Sequence, residues 1–171
     1  MATCIRVLMQ NFTLTFLVLG LLAAGGVLLG RRPLTSARVA EALLAHFLLF
    51  SIGIGFLYNA VLHIVFGDMT ARFIGWDQSP FQAEVGTASL GYALVGFLAF
   101  RGGFGLRLAA VIGPGVFLLG AAVGHAYQMI AARNFAPGNA GVIFYTDLAL
   151  PLLGAFFLWF RYRRAAGVAG S

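Results

Sequence analysis

The chain has 171 residues, 61% of them hydrophobic and 9% charged, with a mean hydropathy of +0.94, which excludes a freely soluble globular domain. Its formal net charge of +6 rests on arginines alone, with no lysine. They stand at the ends of apolar segments instead of clustering on one face, which excludes a nucleic-acid surface.

Five apolar runs of bilayer-spanning length follow one another, at about 11–30, 39–66, 81–100, 106–131 and 141–160. The first follows Arg6 and ends at Arg31 and Arg32, so it reads as a retained span and not as a cleaved signal peptide. Cys4 before it can form neither an internal disulfide nor a thiolate metal site alone. The second run carries Glu41, expected to pair with Arg38 or headgroups, and His46, expected to be a packing residue near the opposite end from His63. The loop after it contains "GWDQSP", whose Trp76 suits a membrane interface.

The third run opens with "SPFQAEVG", residues 79–86, where Ser79 can cap, Pro80 suits the first helical position and Gln82 can complete a capping box. "GPG" at 113–115 predicts a kink in the fourth run, and "APGNAG" at 136–141 predicts a turn. The short loops leave one domain over residues 1–171, an all-α integral membrane helical bundle with five transmembrane helices. Eight arginines fall on one side of five spans and three on the other, which places the N-terminus outside and the C-terminus inside. Gly26 with Gly30, and Gly120 with Gly124, form small-residue pairs that predict close helix contact.

With that threading, His63, Glu84, His125 and Asp147 lie on four different helices within about two turns of the same outer surface. Ionisable groups are costly in lipid, so their common depth marks a candidate site. Two imidazoles and two carboxylates suit a mononuclear transition-metal site, with the four as ligands and Asn59, Gln82 and Gln128 as supporting groups around them. Haem held by His63 and His125 is a second possibility that leaves both acids unexplained. A third reading has the acids simply pairing with the histidines to seal the bundle. Glu84 is expected to face the interior, within direct or one-water reach of His63, His125 or Asp147. Pro151, four residues after Asp147, frees the Asp147 carbonyl from its helical donor.

"SPFQAEVG", "VGHAYQM" and "NFAPGNAGVIFYTDLALP" resemble an uncharacterised family of small bacterial multi-pass membrane proteins, over residues 40–160 and without the first helix. The resemblance implies a bacterial inner-membrane location and no particular chemistry. The helical shape is also loosely similar to small quinone-linked membrane subunits of the DoxX type, by analogy alone. Two functions are therefore expected. One is an outward-facing polar site for redox or metal-handling chemistry. The alternative is a non-catalytic accessory or assembly subunit, packed against a membrane-complex partner or a second copy in the lipid bilayer.

Overall fold

The computed structural model describes residue 7, residues 10–30 and residues 32–163. Cys4, Arg6, Arg31 and Arg164 lie outside the described residues. Within them the chain is helical and contains no strand. We number the helices α1 (Phe12–Leu29), α2 (Ser36–Phe47), α3 (Gly55–Val65), α4 (Gly67–Ile74), α5 (Phe81–Ala99), α6 (Phe104–Ala131), α7 (Pro137–Ala140) and α8 (Val142–Tyr162). A π-helical segment, Leu48–Ile54, joins α2 to α3 without a break, so Ser36–Val65 forms one leg.

Five legs therefore run the length of the bundle: α1, α2 to α3, α5, α6 and α8. Four of them, Phe12–Leu29, Ser36–Val65, Phe104–Ala131 and Pro137–Tyr162, are long and apolar enough to cross a membrane. The fifth, α5, has the length at 19 residues but carries Gln82, Glu84, Thr87 and Ser89 in its first half. The same polar residues that mark it as a candidate site element dilute its apolar character. Large apolar side chains project from the outside of the bundle, Val123 at 71% and Leu152 at 70% exposure among them. An outer surface of this kind suits lipid, not water.

The core packs Leu44, Phe47, Leu48, Ile52, Phe56, Val111, Leu118, Leu150 and Phe157 around small residues. α5 owes its position to such residues. Its buried stripe is Gln82, Gly86, Ser89, Ala93, Gly96 and Ala99, spaced three or four apart on one helical face. A Cβ on Gly96 would fall 2.6 Å from the backbone N of Gly53, and one on Gly86 would fall 2.5 Å from Ile64 Cγ1. Backbone thus meets backbone where α5 crosses the π segment and α3. The expected glycine pairs are not the contact points, because a Cβ added at Gly26, Gly30 or Gly120 would meet nothing within 4 Å among the described residues, and all three are exposed. Gly124 alone of that set is covered, by the ring of Trp76. Pro114 and Pro151 are accommodated inside helices that continue past them.

At the end holding the starts of α2 and α6, Glu41 does not pair with Arg38. Arg107 grips it with both terminal nitrogens, at 2.9 and 2.7 Å, and Arg161 reaches it from α8. Arg107 also donates to the carbonyls of Ala99 and Phe100, at 3.1 and 3.0 Å. It therefore satisfies the orphan acceptors at the C-terminus of α5 while joining α2 and α6. His46 lies near this end as a packing residue, bonded to the carbonyl of Ala42 at 2.8 Å and set against Phe50 and Phe100.

Candidate functional site

At the opposite end, α4 and α7 close over the bundle. α4 ends at Gly75, whose φ of 78° is left-handed, and Asn134 donates to the carbonyls of Ile74 and Gly75. That bond docks the loop after α6 onto the end of α4 and brings Asn139 of α7 over the last turns of α6.

Asn139 is fully buried and uses its whole amide. Its Nδ2 donates to the carbonyls of His125, at 3.2 Å, and Asn134, at 2.9 Å. Its Oδ1 accepts from Trp76 Nε1 at 2.9 Å and lies 2.8 Å from His125 Nδ1. Two carbonyl acceptors fix which end of the amide is nitrogen, so Oδ1 is an acceptor and Nδ1 of His125 carries a hydrogen. The Trp76 ring lies against the imidazole, with centroids 5.5 Å apart. The other imidazole nitrogen, Nε2, then faces Asp147 Oδ2 on α8 at 3.6 Å. Among the described residues this is the only polar partner of the Asp147 side chain, which is 3% exposed.

A neutral imidazole protonated at Nδ1 offers a lone pair at Nε2, and a carboxylate offers only lone pairs. For the two to attract one another, a single proton must lie between them, on Nε2 or on Oδ2. At 3.6 Å the two stand just beyond hydrogen-bond distance and within reach of an ion pair when the imidazole is protonated, with Asn139 holding the tautomer and Trp76 covering the ring.

The four expected ligands do not assemble. His125 and Asp147 meet, but His63 turns to α5 and bonds through Nδ1 to Oε1 of Gln82. Glu84 is exposed and has no polar partner among the described residues. The reason is helical geometry. Gln82 occupies the inward position of α5, and a residue two places on is rotated by about 200°, onto the opposite face. Gln82 consequently bonds to His63 and does not complete a capping box, and Pro80, not Ser79, takes the N-cap position, with no side-chain cap bond. Among the described residues no group of three or more His, Cys, Asp or Glu side chains could hold a metal ion, so neither metal nor haem is supported.

Of the expected supporting residues, Asn59 bonds to Ser89 Oγ at 2.9 Å and Gln82 to His63. The Gln128 side chain has no polar partner among the described residues, although its carbonyl takes the amides of Ala132 and Asn134. Asn139 and Trp76 were not expected as site residues. Their signals are present in "APGNAG" and "GWDQSP", but a turn motif and an interfacial tryptophan give no hint that the two will meet.

The fold is that of a helical bundle with membrane-type apolar legs and a buried polar cluster at one end. The chain belongs to DUF6790, a family of unknown function, whose model matches residues 10–167. The match extends the family resemblance through the first helix, which the sequence motifs had left outside. No curated protein and no solved structure matches the chain.

Proposed function

We propose that His125 and Asp147 form a proton-exchanging site near one face of the membrane, and that the protein takes up, holds or passes a proton there in a membrane-linked process. The observation that carries this reading is the Nε2 to Oδ2 approach of 3.6 Å with Nδ1 already committed to Asn139. An ion pair serving packing alone needs no fixed tautomer, and a buried ionisable pair in a membrane helix is costly without a function. In this proposal α5 crosses the bilayer with the other four legs. The membrane is the bacterial inner membrane, and the arginine distribution puts the His125 end outside.

Infrared difference spectroscopy of the protein in liposomes tests the reading. A pH step should change one carboxyl band that disappears in Asp147→Asn and shifts in His125→Phe. A spectrum unchanged by Asp147→Asn would overturn it.

A second reading, an accessory subunit, draws on one feature: Gly26, Gly30 and Gly120 lie open on the outer surface, where a partner helix can approach closely. Isolation of the protein as a stable monomer, with no partner retained in mild detergent, would count against it.

A further inference from the structure

We infer that the trough beside the end of α6 binds the headgroup of an anionic phospholipid. α6 ends at Ala131, and the amides of Ala132 and Asn134 both return to the carbonyl of Gln128, at 3.1 and 3.2 Å. Between them Arg133 has a φ of 52°, the left-handed conformation that such helix ends usually give to glycine. A residue with a Cβ is disfavoured there. Its side chain makes no hydrogen bond, ion pair or ring contact among the described residues.

Arg133 instead lines an open trough of about 400 Å³ with Ala126, Met129, Ile130 and Phe135. Ile130 and Phe135 are 78% and 66% exposed. The trough lies at the end of a helix long and apolar enough to cross a membrane, at the level of lipid headgroups. A guanidinium with no protein partner is complementary to a phosphate, and the apolar wall continues where an acyl chain would run. A small aqueous anion would gain nothing from that wall. A zwitterionic lipid would gain less from the cation. The combination selects an anionic phospholipid.

Native mass spectrometry of the full chain in neutral detergent tests this, with phosphatidylglycerol and phosphatidylcholine of matched acyl chains supplied in equal amounts. The expected result is about a fivefold preference for phosphatidylglycerol, the value of one basic residue near a charged surface. Arg133→Gly should bring the ratio close to one. Glycine suits the left-handed position, so the same variant should melt no lower than wild type in neutral detergent, which separates lost binding from lost folding. Equal occupancy by both lipids in wild type would overturn the proposal, as would a preference that survives Arg133→Gly. Displacement of the lipid by inorganic phosphate alone would assign the trough to a free anion and overturn it. A dimer that Arg133→Gly dissociates, with no lipid preference in wild type, would assign it to a second copy and overturn it equally.

Discussion

His125 Nε2 and Asp147 Oδ2 face each other at 3.6 Å across the α6–α8 contact, while Nδ1 of the same imidazole is tied to Asn139. The relationship depends on a loop. Asn139 belongs to a four-residue helix, α7, that is held in place by α4 and by the turn after α6. The acid–base pair is thus set by side chains far apart in sequence, and each layer around it can be perturbed separately.

Asn139→Ala removes two donors and one doubly used acceptor from a fully buried position. Unpaired buried groups cost about 1–3 kcal/mol each, with partial relaxation, so a loss of about 2–4 kcal/mol is expected. Trp76→Phe keeps a ring over His125 and loses only the indole donor, for about 1 kcal/mol. Thermal melting in one detergent should rank the two variants in that order.

At the other end of the bundle, Arg107→Met removes one of the two partners of Glu41 and the cap on Ala99 and Phe100. Arg107 is 4% exposed, but the Glu41 side chain is 40% exposed and keeps Arg161, so the loss is about 1–3 kcal/mol, from the uncapped carbonyls and the lost pair. Arg161→Gln, at the more open side of the same carboxylate, should cost no more than about 1 kcal/mol. Comparable losses from both would show that Arg107 has no special role.

The glycines separate contact from exposure. Gly96→Ala puts a Cβ 2.6 Å from Gly53 N, against backbone that cannot rotate away, and should lower stability by about 1–3 kcal/mol. Gly120→Ala meets nothing within 4 Å and should be neutral or stabilising by up to about 1 kcal/mol through helix propensity. Parallel melting curves of the two variants make the comparison.

These contrasts show how much was legible in the sequence. The helical legs were, because long apolar runs bounded by arginines have few other structures available to them. So was the meeting of His125 with Asp147, two of the four residues expected at one depth, since rise per residue sets the level of each on its helix. What depth does not give is azimuth. Gln82 and Glu84 differ by about 200° around α5, and only the packing of Gly86, Ser89 and Gly96 decides which of them points inward. α5 itself reads as a span by its length, yet its polar first half keeps it outside the four apolar legs. The Glu41 partners were hidden for a related reason. Arg107 reads as a loop charge that sets topology until α5 is placed beside it with free carbonyls to cap.

Glu84→Gln follows from that azimuth. The side chain is exposed and unpartnered among the described residues, so neutralising it should leave thermal stability in detergent within about 0.5 kcal/mol of wild type. A marked loss would restore Glu84 to an interior ionic site.

The tautomer of His125 is the most direct test of the acid–base pair. Nitrogen NMR of protein with ¹⁵N-labelled histidine, in liposomes and across a pH series, reports which ring nitrogen carries hydrogen. The arrangement at Asn139 predicts that Nδ1 of His125 stays protonated throughout and that only Nε2 changes, with the change abolished in Asp147→Asn. An His125 resonance showing an unprotonated Nδ1, with the hydrogen on Nε2, would contradict the shared-proton site.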